Sequence, residues 1–192
     1  MPLPDGELYL LTHFLPDPEA ARLFDALRAG LAWAPHRVRL FGREYPTPRL
    51  CAWHGDAGAR YAYSGQPLEP APWPPALARL RAQIETVCGQ VFNGVLCNLY
   101  RDGADSMGWH SDDEASLGPQ PVIASVSLGA ARRFVLRHRQ RRELKPLTLV
   151  LGHGSLLVMA GATQHHWQHA VPRTRHADGM RINLTFRRVA VT

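Results

Sequence analysis

Arg181-Ile-Asn-Leu-Thr-Phe-Arg187 is the stretch that decides the fold, because polar and apolar residues alternate along it. Successive side chains of a β-strand point to opposite faces, so this period predicts a strand with one apolar face fit for a core and one charged face. The apolar face consists of Ile182, Leu184 and Phe186, and the opposite face of Arg181, Asn183, Thr185 and Arg187. The two guanidiniums would start about 20 Å apart along the strand. Each can reach inward, so together they could bracket a small dicarboxylate.

The charge of the chain favours a polyanionic partner such as nucleic acid. The 192 residues are enough for one domain with its own core. The formal net charge is +6, and Lys145 is the only lysine among 22 basic residues. Arginine suits bidentate contacts with phosphate and carboxylate. Codon bias in a GC-rich genome would explain the excess of arginine over lysine equally well, but it leaves the net charge unchanged.

The cysteines and the N-terminus favour a cytoplasmic protein, or a nuclear one if the source is eukaryotic. Cys51, Cys88 and Cys97 are scattered and odd in number, which does not match a disulfide framework or a zinc knuckle. The N-terminus lacks the basic and apolar regions of a secretory leader, and no apolar run reaches the length of a membrane span. We therefore expect no membrane association, and a monomer is the default.

Two helices are predicted in the first half of the chain. Asp17 is a suitable N-cap before Pro18, and Gly30 would end that helix. The second helix would open at Pro74-Pro75 and stop near Gly89. Between the helices lie an alternating segment at 36–41 and a glycine-rich segment at 54–65 that is typical of a turn.

Short strands separated by turn residues are predicted from residue 93 onward. They cover 94–101, 122–128, 133–138, 147–151, 155–159, 165–171 and 181–188. This pattern is typical of a sandwich or barrel. The expected fold class is mixed α+β, mainly β. An N-terminal α/β part at 1–92 would pack on a C-terminal jelly-roll at 93–192, and together they would form a single domain, 1–192.

A His-x-Asp pair is the first candidate for a metal site. Mononuclear Fe(II) oxygenases use two histidines and one carboxylate on one face of the metal. The pattern occurs at His54-Gly-Asp56, His110-Ser-Asp112 and His176-Ala-Asp178. His176 has no histidine after it, and His54 lies in the glycine-rich segment. His110 and Asp112 are favoured, because they follow the strand with Asn98 and Tyr100 and precede a histidine cluster.

The third ligand is left open by the spacing. The candidates are His153, His165, His166 and His169. Strand alternation would place His165 and His169 on one face and His166 on the other. His153 precedes Gly154 and is typical of a turn or a strand end. His169 is the leading candidate among the four.

Six motifs between residues 93 and 188 resemble one known family. They are Asn98-Leu-Tyr100, Trp109-His110-Ser-Asp112-Asp113-Glu114, Ala124-Ser-Val-Ser-Leu-Gly129, His153-Gly-Ser-Leu-Leu157, Trp167-Gln-His169 and Arg181-Ile-Asn-Leu-Thr-Phe-Arg187. In this order they resemble the AlkB family of Fe(II)/2-oxoglutarate dioxygenases, especially the branch that includes the human DNA-repair homologues. The resemblance continues upstream at Phe41-Gly42, Pro48-Arg49, Gly55-Asp-Ala-Gly58 and Tyr61-Ala-Tyr63-Ser-Gly65.

The resemblance implies a fold, three small-molecule reagents and a set of ligands. The fold would be a double-stranded β-helix (jelly-roll) with an N-terminal nucleotide-recognition lid at 36–65. The reagents would be Fe(II), 2-oxoglutarate and O2. Iron would be bound by His110, Asp112 and His169. The co-substrate 2-oxoglutarate would be bound by Asn98, Tyr100, Arg181 and Arg187, with Thr185 as a further candidate on the same strand face.

The resemblance also implies oxidative dealkylation of bases in DNA, such as 1-methyladenine and 3-methylcytosine. The methyl group would leave as formaldehyde, with succinate and CO2 formed from the co-substrate. Such a base must be flipped out or already unpaired. The implied substrate contacts are Phe41 as an apolar finger, Tyr61 and Tyr63 for stacking or hydrogen bonding, and Asp113 and Glu114 as acceptors beside the metal. An ordinary core or turn aromatic and solvated acids are the alternatives.

Two basic stretches could hold the phosphates of single- or double-stranded DNA, or of RNA. One runs from Arg132 to Arg142, and the other contains Arg173 and Arg175. A charge run is more often a solvated face, but the net charge and the resemblance favour nucleic-acid contact.

Four other functions remain open on the sequence. The chain could be an RNA demethylase or a protein hydroxylase of the same superfamily. It could be a non-enzymatic jelly-roll that binds nucleic acid. A small-molecule-binding cupin would explain the strands, but neither the basic charge nor the Asn98/Tyr100 motif.

Overall fold

The structure is a computed structural model that describes residues 2–40, 43–59, 61–63 and 66–190, with side chains for 3–37, 45–59 and 69–190. Within these residues there are three α-helices and 14 strands. The helices are α1 (Asp17–Gly30), α2 (Pro75–Cys88) and α3 (Thr163–His166). The strands are β1 (Pro2–Leu3), β2 (Gly6–Leu11), β3 (Ala34–Leu40), β4 (Arg43–Gly55), β5 (Tyr61–Tyr63), β6 (Gln66–Leu68), β7 (Gly94–Tyr100), β8 (Met107–His110), β9 (Ile123–Gly129), β10 (Arg132–His138), β11 (Leu147–Leu151), β12 (Ser155–Ala160), β13 (Trp167–Val171) and β14 (Arg181–Arg187).

The strands form three antiparallel sheets. The largest has eight strands in the order β1-β2-β12-β9-β14-β7-β4-β3. A second sheet has the order β11-β10-β13-β8, and β5 pairs with β6. In the eight-stranded sheet β2 pairs with β12, and β4 pairs with β7. Strands from residues 1–92 therefore extend both sides of a sheet whose centre comes from residues 93–192. The fold is mainly β, as the sequence predicted, and the described residues contain a third, short helix, α3, that the sequence did not predict.

Two apolar cores lie on opposite faces of the eight-stranded sheet. One core packs α1 and α2 against the sheet and contains Leu27, Leu80 and Ile84 together with Ile182, Leu184 and Phe186. The other joins the sheet to the four-stranded sheet and contains Leu96, Ile123, Leu136, Leu157 and Val171. All seven residues of β14 are buried. The predicted alternation is therefore correct, and its polar face is enclosed between the two sheets.

The two long helices lie where the sequence predicted them. The structure places Pro16 at the N-cap of α1, so Asp17 is already helical, and no side chain caps either helix. The expected N-cap at Asp17 is therefore wrong by one residue. At the other end of α2, Gly89 has φ 61°, a left-handed conformation that favours glycine and ends the helix. No helix among the described residues is long and apolar enough to span a membrane.

Six of the seven predicted C-terminal strands agree with the structure to within one residue at each end, the seventh differs by two residues, and β8 was not predicted. Residues 165 and 166, predicted in a strand, belong to α3, and the strand starts only at Trp167. His54, predicted in a turn, is near the end of β4 and lies opposite Val95 of β7. The glycine-rich turn therefore starts later than predicted, because pairing with β7 keeps the backbone extended through Gly55.

Candidate active site

Two adjacent strands of the four-stranded sheet, β8 and β13, bring His110 and His169 together. His110 ends β8, and its Cα partner on β13 is His169. The two imidazole centroids are 4.2 Å apart, and His169 also stacks on Phe134 at 5.2 Å. His110 Nδ1 lies 2.9 Å from the carbonyl oxygen of Gly108. Donation from Nδ1 to that oxygen leaves Nε2 as the ligand atom.

Asp112 completes the cluster from the segment after β8. The candidate ligand atoms of His110, Asp112 and His169 all lie within 4.8 Å of one another. In the described part of the chain, this is the only group of three or more such side chains close enough to hold a metal ion. The backbone N–H of Asp112 donates to Gln164 Oε1 at 2.9 Å, which fixes the segment that carries the carboxylate.

The two oxygens of the buried Asp112 carboxylate have different surroundings. Arg187 Nη2 donates to Asp112 Oδ1 at 2.9 Å, and the two side chains are 3% and 2% exposed. Burial alone would raise the pKa of Asp112, but Arg187, His169 and His110 outweigh it and lower the pKa to about 2. Oδ2 is buried and accepts no hydrogen bond from any described residue. A bound divalent cation would supply the partner that this oxygen lacks.

The surroundings of the two histidines lower the pKa of both and so favour their neutral form. Burial and His110 outweigh the attraction of Asp112 and lower the pKa of His169 to about 3. Burial likewise lowers the pKa of His110. Neutral imidazole is the form that binds metal. The donor set of two neutral imidazoles and one carboxylate therefore fits Fe(II).

Arg181 lies in the same cavity as the His110/Asp112/His169 cluster, which we call the triad. The cavity is lined by Tyr100, His110, Asp112, His169, Arg181, Asn183, Thr185 and Arg187, among others. Arg181 is 1% exposed, and its Nη2 donates to Ser127 Oγ at 2.9 Å. Its guanidinium lies 5.1 Å from the centre of the Tyr100 ring. Its Nε and Nη1 are buried without a hydrogen-bond acceptor among the described residues. A buried guanidinium with two unsatisfied donors fits the carboxylate of a bound anion.

Asn98 faces the same side of β7 as Tyr100 and also keeps an unused donor. Its Oδ1 accepts from Arg49 Nε at 2.8 Å, whereas Nδ2 is buried and has no acceptor among the described residues. The Thr185 hydroxyl donates to Asn183 Oδ1 at 3.0 Å, and Asn183 Nδ2 donates to Ser125 Oγ. Asn98 therefore offers a free N–H to a ligand, whereas the Thr185 proton is already engaged.

The residues predicted to contact the substrate are only partly described. Phe41 lies outside the described residues, as do the side chains of Tyr61 and Tyr63, whose backbone forms β5. Asp113 is exposed and forms an ion pair with Arg139 at 2.6 Å. Asp113 and Glu114 are not part of the cavity lining.

The other histidine and His-x-Asp candidates lie in structural contacts or on the surface. His153 Nδ1 accepts the N–H of Gly129, His165 contacts the carbonyl of Pro119, and His166 stacks on His138. Asp56 accepts from Trp73 and Arg81, and His54 Nδ1 contacts the carbonyl oxygen of Pro72. His176 and Asp178 are exposed. His169 is therefore the histidine that joins His110 and Asp112.

One member of the first basic stretch is not available to phosphate. Arg132 is 3% exposed and donates to the carbonyl oxygens of Asp102, Asp105 and Pro172. A run of arginines predicts exposed side chains, but side chains alternate between the two faces of β10, and that of Arg132 lies on the buried face. Arg173 and Arg175 are exposed in the segment between β13 and β14.

Comparison with known proteins shows the family. The sequence profile of the 2OG-Fe(II) oxygenase superfamily matches residues 7–187. The chain is 44% identical over 183 residues to human DNA oxidative demethylase ALKBH2, covering 91% of this chain and 70% of that protein. It belongs to the AlkB family of 2OG-Fe(II) oxygenases. It is also 48% identical over 166 residues to rat alpha-ketoglutarate-dependent dioxygenase alkB homolog 3, covering 81% of this chain and 56% of that one.

Solved structures agree with this AlkB-family assignment at the level of fold. OsALKBH1 superposes with a TM-score of 0.65 at 15% identity, covering 95% of this chain and 97% of that chain. A 2OG-Fe(II) oxygenase family oxidoreductase from Burkholderia pseudomallei gives a TM-score of 0.62 at 17% identity, covering 96% and 87%. Membership of the family makes the protein an Fe(II)- and 2-oxoglutarate-dependent dioxygenase that uses O2.

Three supporting residues of this site were not identified from the sequence. Gln164 holds the backbone of Asp112, Ser127 binds Arg181, and Arg49 binds Asn98. Ser127 and Arg49 lie within motifs that carry the resemblance, but no spacing rule indicates their partners. Gln164 is completely buried, and its contact depends on the short helix α3, which the sequence did not predict.

Proposed function

We propose that the protein removes alkyl groups from the bases of DNA by Fe(II)- and 2-oxoglutarate-dependent oxidation, in direct reversal of damage such as 1-methyladenine and 3-methylcytosine. One observation carries the proposal. The triad and a buried, unsatisfied Arg181 line one cavity. Relatives 44% and 43% identical, from human and mouse, are named DNA oxidative demethylases, which supports DNA as the substrate.

The triad would hold the iron. His110 and His169 would bind through neutral imidazole nitrogens, and Asp112 through its unsatisfied Oδ2. With 2-oxoglutarate and O2, bound iron supplies the oxidation that converts an N-methyl group to a hydroxymethyl group, which leaves as formaldehyde. Arg187 keeps the Asp112 carboxylate ionised and oriented through the 2.9 Å ion pair.

The polar face of β14 and its neighbour β7 would hold 2-oxoglutarate. Arg181 would take the remote carboxylate through paired, charge-assisted hydrogen bonds from its unsatisfied nitrogens. Asn98 would donate from Nδ2, and Tyr100 lies between the two. Arg187 and Thr185 line the wall of the cavity nearer Asp112. The apolar side chains of Met107, Phe134, Met159 and Val171 complete the lining of this pocket.

We assign nucleotide recognition to residues 36–65, which include most of the edge strand β3 and its neighbour β4. Phe41 would fill the gap left by a flipped base, and Tyr61 and Tyr63 would contact that base. Asp113 and Glu114 would accept hydrogen bonds from it, Asp113 after leaving Arg139. The facing sheets would form the double-stranded β-helix of a single domain at 1–192. We also propose that the protein acts as a cytoplasmic monomer, or a nuclear one if eukaryotic.

The test is formaldehyde release from modified oligonucleotides. Matched single-stranded DNA, duplex DNA and RNA would carry 1-methyladenine or 3-methylcytosine, with and without added Fe(II) and 2-oxoglutarate. We expect stoichiometric formaldehyde and succinate from DNA only when both are present. Faster turnover of RNA would reassign the protein as an RNA demethylase. Succinate formation without formaldehyde from any oligonucleotide would contradict the proposal and favour a protein hydroxylase.

Removal of Arg173 and Arg175 should weaken DNA binding to a similar degree on every sequence. Each lost phosphate contact makes the negative slope of log K against log salt shallower, by about 0.9 on duplex DNA and by about 0.7 on a single strand. The double variant Arg173→Gln/Arg175→Gln should therefore flatten the slope by about 1.8 on a duplex. Fluorescence anisotropy at several salt concentrations measures this slope.

The matched control for this pair is Arg22→Gln/Arg79→Gln. Both residues are exposed on the helices α1 and α2, and their loss changes the net charge equally. It should leave the slope close to that of the wild type. Equal slopes for the two double variants would reject a phosphate-binding role for Arg173 and Arg175.

A further inference from the structure

Arg49 is a buried cation next to the co-substrate site. It lies on β4 and is only 3% exposed. Its Nε donates to Asn98 Oδ1 at 2.8 Å, and its Nη1 donates to the carbonyl oxygen of Ser106 at 3.3 Å. The N–H of Ser106 donates back to the carbonyl oxygen of Pro48 at 2.9 Å. Arg49 therefore links the N-terminal strand β4 both to β7 and to the segment that leads into β8.

The contact with Arg49 determines which way the Asn98 amide points. A guanidinium only donates hydrogen bonds, so the amide atom that faces Arg49 must be the oxygen. The thiol of Cys51 also contacts Oδ1, at 3.4 Å. The NH2 group of Asn98 must then point away from Arg49. A flipped amide would set its N–H groups against those of Arg49 and lose a charge-assisted hydrogen bond.

The orientation matters because the NH2 group is the unsatisfied end of the amide. Asn98 Nδ2 is buried without an acceptor in the described residues, on the face of β7 that carries Tyr100. The Tyr100 ring in turn packs against Arg181. An anion held by Arg181 would offer an acceptor on the side of the sheet that this face of β7 shares with Tyr100. The carboxylate and keto oxygens of 2-oxoglutarate accept hydrogen bonds and cannot donate them.

We propose that Arg49 is a positioning residue for 2-oxoglutarate, which locks the Asn98 amide with its NH2 group toward the co-substrate. The inference deepens the proposed co-substrate site and rests on it. A residue of the N-terminal half of the chain would then help to form the co-substrate pocket. The residues proposed to bind 2-oxoglutarate directly all lie between residues 98 and 187. Arg49 acts through Asn98.

The experiment is calorimetric titration of 2-oxoglutarate into the protein loaded with Mn(II), which does not turn over. Arg49→Met should raise the Kd for 2-oxoglutarate about 10-fold, which corresponds to losing one oriented buried hydrogen bond. The Kd for Mn(II), titrated separately, should not rise, because the three ligand side chains are unchanged and the variant removes a positive charge that acts on His110. Arg188→Met, an exposed arginine next to β14, is the control and should bind like the wild type.

A double-mutant cycle separates positioning from a general structural role. In an Asn98→Ala background, Arg49→Met should change the Kd for 2-oxoglutarate by less than about two-fold, since there is no amide left to orient. Arg49→Lys keeps the buried charge and should fold if the Met variant does not. It should raise the Kd about three-fold, because an ammonium lacks the planar Nε–H geometry.

Independent effects in the double variant, or wild-type affinity in Arg49→Lys, would overturn the proposal. A parallel loss of Mn(II) affinity in Arg49→Met would also overturn it, because it would show a general disturbance of the site. No nucleic acid is present, so the outcome does not depend on which substrate is dealkylated. Failure of DNA dealkylation and failure of the Arg49 role are therefore distinguishable.

Discussion

Asp112→Ala is expected to lower formaldehyde release by more than about 100-fold, a larger effect than that of most residues that only support metal ligands. The substitution removes the only carboxylate of the triad and with it the unsatisfied Oδ2. It also removes the carboxylate half of the buried ion pair with Arg187, and breaking such a pair costs about 3–5 kcal/mol of unfolding free energy. Activity assays and urea denaturation of the same preparation measure the two effects.

The control for Asp112→Ala is Asp178→Ala. Asp178 belongs to a His-x-Asp sequence with the same spacing, but it is exposed and lies outside the cavity lining. This variant should keep the activity of the wild type. If Asp112→Ala retained activity while folded, the assignment of the metal ligands would be wrong.

Arg181→Met is expected to raise the KM for 2-oxoglutarate by at least about 30-fold, since losing one partner of a buried charge pair costs about 2 kcal/mol or more. The stability of the protein without co-substrate should not fall. Arg181 has no carboxylate partner among the described residues, and burial lowers its pKa. An apolar side chain of similar length removes this unfavourable burial. Steady-state kinetics and urea denaturation measure both quantities.

The opposite changes in co-substrate affinity and stability distinguish a ligand-binding arginine from a structural one. Arg188→Met, one residue beyond β14 and exposed, should change neither quantity. If Arg181→Met destabilised the protein by several kcal/mol with an unchanged KM, Arg181 would be a structural residue. The remote carboxylate would then need another partner.

Local patterns predicted the elements whose two faces differ in polarity. The alternation in β14 was visible because guanidinium and amide side chains line one face and Ile182, Leu184 and Phe186 the other. Helices α1 and α2 were predicted from proline at the start, glycine near the end and apolar spacing between. These signals depend only on neighbours in the sequence, so they can be recognised without knowledge of the tertiary structure.

The N-terminal strands were harder to predict because their partners are distant in sequence. β4 contains Pro46 and Pro48, which normally argue against a strand. The structure accommodates both before Leu50, where pairing with β7 begins. β2 pairs with β12, some 150 residues away, and its pattern alone did not indicate a strand.

Local sequence patterns likewise predicted only part of the site, and the rest depends on the tertiary structure. The pair His110 and Asp112 could be selected from three His-x-Asp sequences, but the spacing left four histidines open as the third ligand. The choice of His169 depends on its register opposite His110 across β8 and β13, which the sequence does not encode locally. The Arg187–Asp112 ion pair joins residues 75 positions apart and likewise needs the assembled sheets.

The central claim is that the triad holds ferrous iron beside a 2-oxoglutarate molecule bound by Arg181. Anaerobic addition of 2-oxoglutarate to the Fe(II)-loaded protein tests it most directly, through the visible absorption band that arises when the keto acid chelates iron. We expect the band to saturate at one co-substrate per chain in the wild type and to be lost in His169→Ala. A wild-type protein without the band, or a His169→Ala variant that keeps it unchanged, would contradict the claim.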